Sequence, residues 1–193
     1  MPRWPWRWRR GSTIQTLETQ RLTLRGFALD DLDDLFAYAQ SPKVGPMAGW
    51  SPHSDREASR AILSSFIEKD EVWAVVWKEN SRVIGSVGLH PDTGRSAPNV
   101  KMLGYVLGED YWGKGLMPEA VQAILRFAFE EMELALVSVG HYPFNTQSKR
   151  VIEKCGFRLE GTLRHAVVGH DGTVYDSVRY AMLKSEFLCR YGR

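Results

Sequence analysis

Residues 104–120 read Gly104-Tyr105-Val106-Leu107-Gly108-Glu109-Asp110-Tyr111-Trp112-Gly113-Lys114-Gly115-Leu116-Met117-Pro118-Glu119-Ala120. This pattern predicts a strand that runs through a Gly-Lys-Gly loop directly into a helix opened by Pro118. The start of a helix gathers unpaired N–H groups and the positive end of its dipole, so the loop is a candidate anion site. Because Gly113 and Gly115 lack a Cβ, phosphate oxygens can reach the backbone, and Lys114 adds a positive charge.

The spacing of these glycines excludes two common nucleotide-binding loops. It fits neither G-x-x-x-x-G-K-[ST] nor G-x-G-x-x-G. A nucleoside triphosphate or NAD site is therefore not expected. A Gly-x-Gly pair before a helix often has only a structural role in the turn, so the loop by itself does not identify the ligand.

Hydrophobic periodicity predicts the elements on either side of the loop. Strand patterns occur at residues 19–25, 72–77, 83–89, 102–107, 135–142, 157–163 and 177–183. Helical patterns begin near Asp30, at a capping box of Ser54 and Glu57, at Pro118 and at Gln147. The helix after Ser54 has a predicted inward stripe of Ala58, Ala61, Ile62, Ser65 and Phe66.

The order of these elements is strand, two helices, three strands, helix, strand, helix and two strands. It predicts an α/β fold with one mixed sheet, antiparallel in its first half, flanked by about four helices. The 193 residues fit a single domain, which we assign to residues 13–193.

The positive charge of the chain is concentrated in residues 1–12. The net charge is +2 and this leader carries four arginines and no acid, so residues 13–193 sum to −2. An Arg/Trp-rich leader is typical of a disordered extension, which we favour, or of a tail that touches lipid or nucleic acid. The negative remainder argues against nucleic-acid binding by the domain.

Composition places the chain in a reducing, cytoplasmic setting. No apolar run approaches the ~20 residues needed to cross a bilayer, so no membrane partner is expected. Cys155 and Cys189 share no motif, which argues against a disulfide framework. No metal is expected, because metal-ligand spacing is lacking among the five histidines: His53, His90, His141, His165 and His170.

Several motifs together resemble the GNAT superfamily of N-acetyltransferases, specifically its RimJ/RimL-like branch. That branch has a G-Y-x-L strand, a W-G-K-G-like loop, a helix with E-A near its start, and a later N-x-x-S followed by G-F. The matching residues are Gly104–Leu107, Trp112–Gly115, Glu119-Ala120, Asn145–Ser148 and Gly156-Phe157. The resemblance runs from about Leu17 to Phe187.

The resemblance implies acetyl-CoA as co-substrate, held between two central strands that splay apart. Backbone groups of Val106 and Leu107 would pair with the pantetheine arm, and Asn145 would bond the arm near its amides. Ser148 would lie near the thioester sulfur or the arm. The pyrophosphate would be cradled by the amides of Trp112, Gly113, Lys114, Gly115, Leu116 and Met117.

Two positions depart from the family pattern. Asp110 stands where the superfamily often has Gln or Arg, so Lys114 and the amides must carry the anion site. Met102 stands where many relatives have an acid before the central strand, so a candidate general base is missing.

Direct attack of an amine on a thioester needs a neutral nucleophile and a proton donor for the departing thiolate. For the acid we predict Ser148, with Tyr142 and Tyr175 as rivals. For the base, Glu109 and His141 are the candidates. Without an obvious carboxylate base, an α-amine is the easier acceptor, since at pH 7 an amine of pKa ~7.8 is far less protonated than a lysine.

The acceptor groove is predicted to form from residues 42–53 and the hairpin near Tyr175 and Asp176. Trp50 would present an apolar wall, and Asp176 would anchor the substrate amine.

The acceptor is either a protein N-terminus or a small-molecule amine, since the fold alone does not decide between these two substrate classes. A non-catalytic acyl-CoA sensor is the alternative function. A homodimer is compatible with the sequence, which does not determine the oligomeric state.

Overall fold

The computed structural model describes residues 14–192, so the predicted leader at residues 1–12 lies outside the described residues. Eight strands form one sheet in this part of the chain. The strands are β1 (Leu17–Glu18), β2 (Leu22–Gly26), β3 (Val72–Trp77), β4 (Arg82–Pro91), β5 (Val100–Leu107), β6 (Leu136–His141), β7 (Arg158–Val168) and β8 (Val174–Leu183). The helices are α1 (Leu32–Ala39), α2 (Gly45–Ala48), α3 (Arg56–Lys69), α4 (Leu116–Arg126), α5 (Thr146–Lys154) and α6 (Lys184–Tyr191).

The sheet is mixed, as the sequence predicts. Its strand order is β1-β2-β3-β4-β5-β6-β8-β7, and every neighbouring pair is antiparallel except β5 with β6. The parallel pairing covers only Val100–Met102 against Leu136–Ser138. Strand β5 stays paired with β4 as far as Leu107. The two central strands therefore part after Met102, which is the splay that the family resemblance implies.

Each face of the sheet carries its own core. Alternation along β3 separates them, because Val75 belongs to one core while Ala74 and Val76 belong to the other. The first core is covered by α4, α5 and α6, and the second by α1 and α3. The splay between β5 and β6 thus opens a passage from one covered face to the other.

The predicted capping box of α3 is wrong by one residue. Asp55, not Ser54, caps the helix, and its carboxylate accepts a hydrogen bond from the Ala58 amide at 2.9 Å. The buried face also differs from the predicted stripe, since Ser59 and Leu63 are the buried residues of the helix. Ala61 and Ile62, which were expected inside, are exposed.

Two short helices among the described residues were not predicted. Helix α2 lies in a stretch whose Pro46 and two flanking glycines are typical of a loop, but Pro46 falls in the first turn, where proline is tolerated. Helix α6 follows β8 without a connecting turn and buries Phe187. Within residues 14–192 no helix is long and apolar enough to cross a membrane.

Candidate active site

A cavity of about 900 Å³ lies at the splay of β5 and β6. One half adjoins the glycine loop and α5, with Gly113, Leu116 and Ser148 on its wall. The other half reaches α1, α2 and α3, where Trp50 and Phe66 line it. Nine of the ten predicted cofactor residues line this cavity: Val106, Leu107, Trp112, Gly113, Gly115, Leu116, Met117, Asn145 and Ser148.

The glycine loop has the backbone geometry of an anion site. Gly113 and Gly115 both adopt left-handed backbone conformations, with φ of 77° and 73°. Gly115 is the N-cap of α4 and supplies no side-chain cap. A Cβ built on Gly113 meets no atom within 4 Å. Among residues 14–192, the amides of residues 113–117 donate no backbone hydrogen bond, so they are free for a ligand.

An ion pair braces this loop against the edge of the sheet. The Glu119 carboxylate on α4 accepts hydrogen bonds from the Thr19 hydroxyl at 2.6 Å and from the Arg21 amide and guanidinium at 2.8 and 2.7 Å. Arg21 also donates to the Lys114 carbonyl at 2.9 Å. Glu119, known from the sequence only as part of a motif, is therefore a structural residue that fixes the loop.

Glu119→Gln is expected to lower the free energy of unfolding by about 1–2 kcal/mol, because a charged acceptor of three hydrogen bonds becomes neutral. Burial raises the pKa of Glu119, but hydrogen bonds from Thr19 and Arg21 lower it overall. The stabilisation is therefore present above the ordinary pKa range of glutamate and is lost as the pH falls through the lowered pKa. Urea unfolding at pH 7 and at pH 3, well below the ordinary glutamate pKa of about 4.3, measures it.

Glu130→Gln is the matched control for that measurement, because Glu130 pairs with Arg126 on the exposed face at 3.6 Å. An exposed pair of this kind contributes less than about 1 kcal/mol. Equal losses of stability in the two variants would contradict the bracing role of Glu119.

Lys114 is the predicted cofactor residue that does not line the main cavity. Its ammonium group lies over the rings of Trp77 and Tyr111, at 5.1 and 5.5 Å from their centroids.

Trp112 contacts the predicted cofactor strand through its side chain, since its indole N–H donates to the Leu107 carbonyl at 2.7 Å. That carbonyl, expected to face the pantetheine arm, is thus engaged inside the protein.

Asn145 and Ser148 sit at the start of α5, directly against β5. The Asn145 carbonyl oxygen caps the helix by accepting from the Ser148 amide, and its amide group donates to the Met47 carbonyl, both at 2.9 Å. The Ser148 hydroxyl lies 2.8 Å from the Tyr105 hydroxyl, which also donates to the Ser148 carbonyl at 3.2 Å. Tyr105 was not predicted as a site residue, although its place in the G-Y motif was a usable signal.

Tyr142, the rival acid, lies in an aromatic cluster at the acceptor end. Its ring is 5.2 Å from that of Phe144 and 5.3 Å from that of Tyr175, measured between centroids. Tyr142 lines the cavity, whereas Tyr175 supports it from behind and donates its hydroxyl to Asp171 at 3.0 Å. Burial, helped by Tyr175 and Asp171, raises the pKa of Tyr142.

The structure does not bring Glu109 and Asp176 to the cavity. Glu109 pairs with Lys43 at 3.2 Å, and Asp176 accepts from the His165 amide at 2.8 Å in the edge hairpin. His141 does line the cavity, and its Nδ1 donates to the neighbouring Tyr142 carbonyl at 2.7 Å. This bond leaves Nε2 as the proton acceptor of the ring, buried and without a hydrogen-bond partner among residues 14–192. Trp50 lines the acceptor half, as predicted, with its ring 5.2 Å from that of His53.

Comparison with known proteins identifies the family. The model of the acetyltransferase (GNAT) domain matches residues 21–158. The chain belongs to the GNAT acetyltransferase family. It is 30% identical to the uncharacterized N-acetyltransferase p20 of Bacillus licheniformis over 182 residues, which cover 90% of this chain and 99% of p20. The ribosomal protein uS5-alanine N-acetyltransferase of Escherichia coli is 34% identical over 59 residues, which cover 31% of this chain and 30% of that protein, in agreement with the RimJ/RimL-like resemblance.

Solved GNAT structures share the fold. An acetyltransferase of the GNAT family from Bacillus anthracis matches with a TM-score of 0.81 and 26% identity, over 89% of this chain and 100% of that one. The Microcin C7 self-immunity acetyltransferase MccE, solved in complex with acetyl-CoA and AMP, matches with a TM-score of 0.73 and 19% identity, over 86% of this chain and 93% of MccE. The GNAT chain described here is therefore an acetyltransferase with the expected α/β fold.

Two polar residues of the acceptor half were missed from the sequence. His90 on β4 stands directly across from Met102, and its Nε2 would lie 2.9 and 3.4 Å from a Cβ placed on Gly88 and Gly104. Arg179 on β8 also lines the cavity. Both sit on strands that had no motif, so only the register of the sheet brings them to the site.

The residues present fit acetyl-CoA in this GNAT cavity. The open space at Gly113, the free amides at the start of α4 and the parted strands form a continuous channel lined on both faces. No group of three or more His, Cys, Asp or Glu side chains within residues 14–192 is arranged to hold a metal ion.

Proposed function

We propose that this GNAT chain transfers an acetyl group from acetyl-CoA to a primary amine, either a protein N-terminus or a small molecule. The observation that carries the proposal is the channel at the splay of β5 and β6. It begins at the free amides of the α4 start and ends in an open pocket beyond Gly104. A donor thioester in the channel would thus face an acceptor amine.

Ser148 is the proposed proton donor to the departing thiolate. The Tyr105 hydroxyl contacts both the carbonyl and the hydroxyl of Ser148, at 3.2 and 2.8 Å, and so fixes the position of the Ser148 hydroxyl on the cavity wall. Burial raises the pKa of Tyr105, so its phenol stays protonated and keeps this contact. Tyr105 is then a positioning residue for Ser148.

His90 is the proposed base that accepts the proton of the attacking amine. Burial lowers the pKa of His90, although the nearby Glu71 carboxylate opposes that shift. The imidazole is therefore neutral at pH 7, as a base must be. It stands across from Met102, where an acid is expected in relatives, and takes over that role from the neighbouring strand.

Ser148→Ala is expected to lower kcat about tenfold with little change in the Kd of acetyl-CoA. The effect is modest because a thiol of pKa ~8.5 leaves with limited help from an acid. Tyr105→Phe should produce a smaller loss of the same kind. Steady-state release of CoA thiol measures both, and an unchanged kcat in Ser148→Ala would assign the acid elsewhere, with Tyr142 next to test.

Titration of acetyl-CoA by calorimetry, followed by an amine screen for CoA release, tests the proposed function. Tight binding with turnover supports it. Binding without turnover of any amine would favour the acyl-CoA sensor, for which the lack of an acid at Met102 is the supporting observation. The absence of binding would overturn both functions.

A further inference from the structure

Arg179 places a cation on the wall of the acceptor pocket, with no carboxylate of residues 14–192 in direct contact with it. Within residues 14–192 its guanidinium forms no ion pair, and its Nε is buried without a hydrogen-bond partner. In this part of the chain its one hydrogen-bond contact is weak, from Nη1 to the Met102 sulfur at 3.6 Å. A guanidinium has five N–H donors and stays charged at all relevant pH values. Such a group is costly to shield from water unless a ligand pairs with it.

The nearest candidate partner is already in use. Both oxygens of Asp92 are engaged, by the Ser138 hydroxyl at 2.5 Å, the Gly94 amide at 2.9 Å and the Arg95 guanidinium at 3.2 Å. Although burial raises the pKa of Asp92, these bonds and the nearby positive charges lower it overall. Asp92 is thus ionised, and the charge of Arg179 is among those that lower its pKa, but the two side chains form no direct ion pair.

Glycines make room for the His90 and Arg179 side chains on the wall of the pocket. Gly88 pairs with Gly104 across β4 and β5, and Gly140 pairs with Arg179 across β6 and β8. A Cβ on Gly140 would lie 3.3 Å from Cδ of Arg179, so the missing side chain lets the arginine lie across β6. The His90 ring likewise lies against Gly88 and Gly104, in the space that their side chains would take. The glycines therefore let a base and a cation lie close to the backbone on the same wall of the pocket.

We propose that the acceptor is a small amine that carries a carboxylate close to its amino group, as a free amino acid does. This inference rests on the proposed acetyl transfer and adds the acceptor class. Arg179 binds the carboxylate through charge-assisted hydrogen bonds, while the amine lies toward His90 on the same cavity wall. A protein N-terminus fits this pocket less well, because its neighbouring group is a neutral amide.

The rest of the acceptor half suits an apolar side chain. Its wall consists mainly of carbon, with half-buried Trp50, Phe66 and Val106 packed on the second core. Ile62, one of the exposed large hydrophobic residues, adds to this wall. An amino acid with an apolar side chain would cover these groups and keep its amine and carboxylate beside His90 and Arg179.

Matched pairs of acceptors test the inference: leucine, methionine and phenylalanine against their C-terminal amides. Each amide keeps the amine and the side chain and removes only the negative charge. We expect wild type to prefer the acids by at least about 30-fold in kcat/KM after correction for amine ionisation. In Arg179→Met that preference should fall to within about threefold, through loss of activity on the acids alone.

Arg179→Lys keeps the charge but loses the planar fork, so an intermediate preference is expected. The Kd of acetyl-CoA should be unchanged in both variants. Equal activity on acids and amides in wild type, or a parallel loss on both in Arg179→Met, would overturn the inference and leave acetyl transfer standing. If acetyl-CoA binds and neither set is acetylated, the amino-acid class is also overturned, whereas failure to bind acetyl-CoA would refute the proposed function itself.

Discussion

His90→Asn is expected to lower kcat/KM for the amine about 100-fold while the Kd of acetyl-CoA stays unchanged. Asparagine occupies similar space and is polar, but it cannot accept a proton at neutral pH. The loss should therefore appear in the chemical step and not in cofactor binding. His170→Asn is the matched control, because the same change is made at an exposed turn remote from the cavity.

The pH profile separates a base from a residue that only packs. Burial lowers the pKa of His90, Glu71 raises it, and the charges of Lys101 and Lys69 lower it further. The neutral form therefore persists below the ordinary histidine range, and activity should fall only as the pH drops through this lowered pKa. In His90→Asn this fall of activity at low pH should disappear, so that the remaining pH dependence reflects only the ionisation of the substrate amine. An identical fall in the variant would exclude His90 as the base.

Gly113→Ala is expected to raise the Kd of acetyl-CoA at least about tenfold in a folded protein. The glycine has φ of 77°, so alanine there costs about 1–2 kcal/mol of backbone strain. No atom lies within 4 Å of the new Cβ, so the protein itself has no clash. The methyl group would instead stand at the cradle of free amides where the pyrophosphate must approach the backbone.

Gly172→Ala controls for the strain in that experiment. Gly172 has φ of 80° and an equally open Cβ position, but it lies in the turn between β7 and β8, far from the loop. Calorimetry and thermal unfolding are compared for both variants. Similar losses of stability with a selective loss of binding in Gly113→Ala support the cradle. Normal binding in Gly113→Ala would place the pyrophosphate elsewhere.

The fold was largely predictable because its signals are local. The strand and helix around the glycine loop combine periodicity, Pro118 and glycine spacing in one stretch, and the structure has β5 and α4 there. The cap of α5 at Asn145 was likewise readable from residue type. The errors occurred where two cap residues adjoin, at Ser54 and Asp55, and where a proline stands inside a short helix, at Pro46.

The acceptor site could not be predicted in the same way, because it depends on register between distant strands. His90 and Met102 face each other only when β4 and β5 are paired, and Arg179 reaches the pocket only across Gly140. Glu109 and Asp176 were plausible by residue type, but each is paired outside the cavity. Local sequence patterns thus predict the residues of the proposed acetyl-CoA site, whereas the residues of the amine site are brought together only by tertiary packing.

The most direct test of the account is to follow acetyl-CoA labelled in its acetyl group in the presence of free amino acids with apolar side chains. We predict that the label appears on the amino nitrogen in a one-to-one ratio with released CoA, and that Ser148→Ala and His90→Asn slow both together. Release of CoA with the label recovered only as acetate, or tight binding with no transfer to any amine, would contradict acetyl transfer to an amine at this site.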